Sequence, residues 1–293
     1  MVAGLAAAAL TLVLVARATA LPENLLFFWP SRDPGPVPSG AMEIELDGPT
    51  PGSRLHAWVF SPADAGAGER LPVVIHVHGN AGAIDSHTAF CAWLAERTDM
   101  LRARVVVFDY RGYGRSSEAG YLTRRTLIED AKAASRAVRA QPWADPERVV
   151  LFGNSIGAVT AINAAAELAA EGEAPRAVVA AAPFASWPGV AGFHAGVLGR
   201  VLIRSGSDAE EAAGRLGAVP LLTLHGMQDT VTPPGDSARI AAAAERGGAE
   251  ASTRLYEGLD HVTLLLDEGV RAEVSAWIAG PVGESGVVEA VGD

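Results

Sequence analysis

Cysteine is almost missing from this chain of 293 residues. Cys91 stands alone, so the chain closes no disulfide on itself and offers no cysteine-based metal site. Lysine is reduced to Lys132, and 23 basic residues face 34 acidic ones, a formal charge of -11. That balance argues against nucleic acid and against attraction to anionic lipid. No G-x-G-x-x-G follows the first buried strand, where a dinucleotide fold would carry it, so no cofactor is expected. His76 and His78 form an H-x-H pair with no third ligand nearby, and read as hydrogen-bonded core and loop residues rather than a metal site. Long apolar runs are scarce too. Val2 to Ala16 is apolar apart from Thr11, short of the roughly 17 to 25 residues of a membrane-spanning helix.

What is present in quantity is apolar sequence, 49% of the chain, enough for one large domain with a buried core. Met42 to Leu46 and Leu55 to Phe60 alternate apolar and polar, as antiparallel strands do. The rhythm then changes to short, almost wholly apolar runs: Val73–Val77, Val105–Phe108, Val149–Phe152, Ala177–Ala181 and Leu221–Leu224. Strands buried on both faces have this character. Helical stretches separate them at Ala83–Arg97, Thr123–Ala140, Ile156–Glu171 and Gly235–Arg246; a strand at Thr253–Tyr256 and a helix at Asp267–Ile278 close the series. The alternation predicts an α/β fold, a doubly wound and mostly parallel sheet. The expected division is an N-terminal segment over residues 1–21, a Pro/Gly-rich linker over 22–41, one domain over 42–280 and a frayed tail over 281–293.

Function gathers at the carboxyl ends of parallel strands. The run Val149-Val150-Leu151-Phe152-Gly153-Asn154-Ser155-Ile156-Gly157 places G-x-S-x-G between a strand and an Ala-rich helix. A serine on that turn is held in a strained conformation above the sheet, and the flanking glycines permit close backbone approach. The first buried strand ends in His78-Gly79-Asn80-Ala81-Gly82, the next in Asp109-Tyr110-Arg111-Gly112-Tyr113-Gly114, the strand at Leu221 in His225-Gly226-Met227-Gln228-Asp229, and the last in Gly258-Leu259-Asp260-His261. Serine, aspartate and histidine therefore come in the order Ser155, Asp229, His261.

These motifs, VIHVHGNAG, VFDYRGYGRSS, LFGNSIG, LLTLHGMQD and YEGLDH, resemble those of the α/β-hydrolase superfamily from about Glu43 to Ile278. Within it the chain looks like short-lidded serine esterases that often carry an N-terminal membrane segment, including thioesterases that remove palmitoyl groups from proteins. The resemblance implies the α/β-hydrolase fold with a short lid insertion, here over 184–218, and a serine hydrolase mechanism without metal or cofactor. The serine at the elbow speaks against the dehalogenases and epoxide hydrolases of this fold, which use aspartate there.

The residue types fit that chemistry. A serine hydroxyl needs a base at neutral pH, histidine supplies it, and a carboxylate fixes the tautomer and steadies the imidazolium. Ser155, His261 and Asp229 are the expected triad, with the backbone N–H groups of Ile156 and Asn80 as oxyanion donors and Ala81 as the alternative to Asn80. Asp260, Asp208 and Asp236 are rivals to Asp229. His225 is expected to brace the loop before Asp229, and Tyr110 or Tyr113 to line the pocket. The expected substrate is a small or lipid-like acyl ester or thioester; a peptidase or amidase, or a binding protein that keeps the pocket, stand as alternatives. For residues 1–21 the expectation is a single membrane anchor, with Phe27-Phe28-Trp29 at the headgroup level. The alternative is an export signal cleaved after Ala18-Thr19-Ala20.

Overall fold

The computed structural model describes residue 19 and residues 21–66, 68–97 and 101–280. The strands, in chain order, are β1 (Ala41–Asp47), β2 (Arg54–Phe60), β3 (Leu71–Val77), β4 (Arg104–Phe108), β5 (Ala144–Asn154), β6 (Ala177–Ala181), β7 (Leu221–Gly226) and β8 (Ala251–Tyr256). The helices are α1 (Leu21–Phe27), α2 (Thr88–Glu96), α3 (Arg124–Arg139), α4 (Ile156–Ala170), α5 (Trp187–Leu202), α6 (Ala209–Ala213), α7 (Gly235–Arg246) and α8 (Glu268–Ala279).

The strands form one eight-stranded sheet in the order β8-β7-β6-β5-β3-β4-β2-β1. β2 is antiparallel to both β1 and β4, and every other pair is parallel. This is the predicted α/β-hydrolase architecture. Successive side chains of a strand face opposite ways, and β3 shows the consequence. Val73, Ile75 and Val77 join a core with α3, α4, α6 and α7, whereas Val74 joins a second core with Phe90, Cys91 and Leu94 of α2 and Val270, Val274 and Ile278 of α8. Cys91 is fully buried there, and burial pushes its thiol pKa up, away from reactivity.

Register brings the chemistry-bearing loops to one edge. Val77 pairs with Gly153, Gly153 with Ala180, and Ala181 with Leu224, so β3, β5, β6 and β7 finish side by side. Helix starts there are capped locally. Thr123 Oγ1 accepts from Thr126 N at 3.1 Å, Ser186 Oγ from Gly189 N at 3.1 Å, and Asp267 Oδ1 from Val270 N at 2.9 Å.

The N-terminal expectations need correction. Among the described residues no helix is long and apolar enough to cross a membrane, which overturns the membrane-anchored reading. The run Val2–Ala16 and the tail 281–293 lie outside the described residues. The stretch expected as linker over 22–41 begins instead with α1, and Trp29–Pro30 pairs in parallel with Ala81–Gly82. The aromatic cluster belongs to the domain rather than to a headgroup layer. Phe28 is buried, and the rings of Phe27 and Phe28 pack against Trp187 at 5.1 and 6.2 Å.

Candidate active site

Ser155 stands between β5 and α4 with φ 56° and ψ -123°, a left-handed conformation unfavourable for any residue with a side chain. Its surroundings hold it there. Its N–H donates to Ala181 O at 2.8 Å, and its carbonyl accepts from Ala158 N at 3.0 Å. The neighbouring glycines are required by contact: a Cβ on Gly153 would run into the carbonyl of Gly157, and one on Gly157 into the carbonyl oxygens of Val77 and His78. Ile156 is the first residue of α4, whose unpaired N–H groups and dipole face the serine's surroundings.

Asp229 and His261 meet across the ends of β7 and β8. His261 Nδ1 lies 2.7 Å from Asp229 Oδ2. The carboxylate is buried yet richly solvated by protein. Oδ1 accepts from the N–H groups of Val231 and Thr232 at 2.7 and 2.8 Å. Oδ2 accepts from Thr232 Oγ1 at 2.9 Å and lies 3.1 Å from His225 Nε2. Burial alone would raise the Asp229 pKa; the hydrogen bonds from His225, His261 and Thr232 outweigh it and hold the carboxyl well below the usual range. His225 braces this loop as expected, with Nδ1 2.8 Å from Ser237 Oγ. Thr232 was not anticipated, although an aspartate followed by a threonine three residues on is a local turn signal.

The rival carboxylates are occupied elsewhere. Asp260 Oδ1 accepts from Val262 N, Thr263 N and Thr263 Oγ1, all within its own exposed loop. Asp208 accepts from Trp187 N at 2.8 Å, and Asp236 from Ala185 N at 2.9 Å.

The loop after β3 lies across from the serine. Tyr110 Oη donates to His78 O at 2.8 Å, and the rings of Tyr110 and Tyr113 lie 4.4 and 5.3 Å from that of His78. Both tyrosines are thus buried supports for the loop rather than pocket walls. His76 and His78 are enclosed, and burial drives the His78 pKa down to about 3 and the His76 pKa well below its ordinary value. His87 joins them, with ring centroids 4.9 Å from His76 and 5.5 Å from His78, and burial lowers its pKa to about 4. Among the described residues no group of histidine, cysteine or acidic side chains is arranged to hold a metal ion.

Ser155, Asn80, Ile156 and His261 open into one cavity of about 590 Å³, a volume suited to a small organic ligand. Its walls are mainly apolar, from Phe184, Val190, Ala191 and Val231, with Leu26, Phe27 and Trp29 on the N-terminal side. The 184–218 segment contributes through α5, bent at Ala195 and Gly196, whose φ of 57° suits glycine. His194 Nε2 lies 2.8 Å from Val231 O and ties α5 to the Asp229 loop. The apolar residues Phe193, Val197 and Leu198 face outward, the last two with 80% and 63% exposure. Helical periodicity and the bend turn the smaller face of α5 to the cavity.

Comparison with known proteins agrees with this architecture. Residues 68–204 match the family described as serine aminopeptidase, S33. The chain is 31% identical to the uncharacterized protein YfhR of Escherichia coli over 222 residues, 76% of this chain and 75% of that one. It is 32% identical to the uncharacterized protein Rv2307c of Mycobacterium tuberculosis over 229 residues, again 76% and 75% of the two chains. Among solved structures, the esterase of Pyrobaculum calidifontis superposes with a TM-score of 0.63 at 22% identity, covering 83% of this chain and 86% of the other. By the family match and these likenesses, the chain belongs to the α/β-hydrolase superfamily.

Proposed function

We propose that the chain is a serine hydrolase that cleaves carboxylic esters or thioesters through Ser155, His261 and Asp229. The carrying observation is that Ser155 and His261 open into one apolar cavity while Asp229, 2.7 Å from His261 Nδ1, stands behind the imidazole. With Nδ1 committed to Asp229, the other ring nitrogen is the one available to take the Ser155 proton as Oγ attacks the carbonyl carbon. The tetrahedral oxygen is received by the backbone N–H groups of Ile156 and Asn80. Collapse breaks the bond to the alcohol or thiol, which leaves with the proton from His261 and an acyl group on Ser155. Water then gives a proton to His261 as its oxygen attacks the acyl carbon; the bond to Ser155 Oγ breaks, the acid leaves, and the proton from His261 restores the hydroxyl. α5 acts as the lid.

The family's description as serine aminopeptidases favours a second reading, an aminopeptidase. Recognition of a free α-amino group calls for a carboxylate in the pocket. Among the described residues that line the cavity there is no aspartate or glutamate, which favours an uncharged apolar acyl group.

Two measurements test the reading. A fluorophosphonate probe should label the wild-type chain at Ser155, and a panel of esters, thioesters and peptide amides should show kcat/KM highest for uncharged acyl chains of short to medium length. Absence of labelling would leave a binding protein; a preference for peptides with a free amino end would leave the aminopeptidase.

A further inference from the structure

The N-terminal segment is held to the catalytic end of the sheet by a series of separate tethers. Glu23 on α1 pairs with Arg124, a buried residue. The Arg124 guanidinium lies 4.5 Å from the ring centroid of Trp187, and its Nη1 donates to the carbonyls of Arg204 and Gly206, both at 2.8 Å. One arginine thus joins α1 to the start of α5 and to the turn just past its end. Asn24 Nδ2 donates to Leu122 O. Phe27 meets Trp187 edge to face. Beyond α1, Trp29 N–H donates to Asn80 Oδ1 at 3.1 Å, Ser31 N–H to Gly82 O at 2.8 Å, and Gly114 N–H to Ser31 O at 2.8 Å. The segment therefore crosses from the lid to the oxyanion loop and is anchored on both.

Along the way it presents apolar side chains to the cavity. Leu26, Phe27 and Trp29 share that cavity with Ser155 and His261. Leu26 and Trp29 nonetheless keep 51% and 59% exposure, which places them at its mouth. The Trp29 ring is not loose: its Nε1 donates to Leu25 O at 3.1 Å. A large, oriented and half-exposed aromatic beside a candidate nucleophile is a surface that a ligand would cover.

We propose that residues Leu21–Ser31 form a strap that completes the substrate site, with Leu26, Phe27 and Trp29 contacting the apolar chain of the substrate and the Trp29 backbone N–H positioning Asn80. The inference rests on the serine hydrolase reading and deepens it, since it makes the substrate an ester or thioester whose apolar chain lies between α1 and α5. Asn80 is an oxyanion donor through its own N–H, while its side chain is pinned from outside by Trp29. The strap thus sets where that donor points. A displacement of about 1 Å at such a group lowers turnover by about a hundredfold.

The test uses the full chain and two p-nitrophenyl esters, acetate and octanoate. Leu26→Ala and Trp29→Ala should each lower the octanoate-to-acetate ratio of kcat/KM by about tenfold, mainly through KM for octanoate. Asn80→Ala keeps the backbone N–H but loses the tether, and should lower kcat on acetate at least about tenfold with KM little changed. A general loss of structure would not split KM from kcat in this way. Leu26 is half exposed, so its replacement leaves the core intact and keeps the test decisive if Asn80→Ala folds poorly. Failure of the wild type to hydrolyse either ester or to react with a fluorophosphonate would sink the hydrolase reading. An active wild type whose Leu26→Ala and Trp29→Ala variants keep its chain-length ratio would overturn the strap alone.

Discussion

His225 and His261 approach the same atom. Nε2 of His225 and Nδ1 of His261 lie 3.1 and 2.7 Å from Oδ2 of Asp229. His225 is fully buried, and its other nitrogen faces Ser237 Oγ at 2.8 Å, so a proton on Nε2 lets it donate to the carboxylate while accepting from the serine. In the proposed mechanism it acts through Asp229, as a positioning residue. His225→Phe keeps an aromatic ring in the space but removes the donor. The expected result is a fall of at least about tenfold in kcat, with KM for a soluble ester nearly unchanged, since a hydrogen bond to a charged carboxylate is worth about 1.5–3 kcal/mol. Steady-state kinetics alongside a thermal melt would check it; a loss as large as that of His261→Ala would show that His225 does more than hold Asp229.

The proposed triad and the rival carboxylate of Asp260 separate in the same assay. Ser155→Ala and His261→Ala should each lower kcat by at least about a thousandfold with the fold intact, because triad members act as a unit. Asp229→Asn should cost nearly as much. Asp260→Asn should cost little activity, since Asp260 is bonded only within its own loop. Comparable losses at Asp229 and Asp260 would mean that the wrong carboxylate has been assigned.

Much of this was legible in the chain because buried parallel strands are written as unbroken apolar runs, and their ends carry the chemistry-bearing loops. Strands β6 and β7 begin where expected at Ala177 and Leu221, and Ser155 sits on the turn that its glycines foretold. The sequence was less informative where an apolar residue can be satisfied in more than one way. Phe27 and Phe28 suit a membrane interface as well as they suit the ring of Trp187, and nothing local distinguishes the two partners. Val197 and Leu198 are as apolar as the residues that line the cavity, yet past the bend at Gly196 they face outward. Tyr110 and Tyr113 sit at the right strand end, but their rings pack under the loop against His78.

The elbow makes a steric prediction independent of chemistry. A Cβ at position 157 meets main-chain oxygens of Val77 and His78, which belong to the end of β3 and the loop after it and cannot rotate away. Gly157→Ala should therefore destabilise the domain by about 1–3 kcal/mol, the usual cost of overpacking, and also displace the loop that carries Asn80. Urea unfolding of the variant, with fluorophosphonate labelling as a second readout, checks both effects. Unchanged stability would mean that the β3 and α4 backbones can separate without cost.

A pH dependence of stability is expected at His56, which supports the same loop from below. His56 Nδ1 lies 3.1 Å from Asp109 Oδ2 and Nε2 lies 2.7 Å from Glu43 Oε1, while Asp109 Oδ1 accepts from Ile84 N just beyond the loop that carries Asn80. Burial pulls the His56 pKa down, but the hydrogen bonds and charges of Asp109 and Glu43 outweigh it and raise the pKa above its ordinary 6.5. Arg115 also pairs with Glu43. The folded state thus holds the His56 proton more tightly than the unfolded state. Its contribution to stability is complete below about pH 6.5 and fades as the pH climbs through the raised, folded-state value. The wild type should lose stability relative to His56→Gln on going from pH 6 to pH 9, read as the difference between their urea midpoints at each pH. A difference that stays constant across that interval would show that His56 holds Asp109 as a neutral ring, with no proton linked to folding.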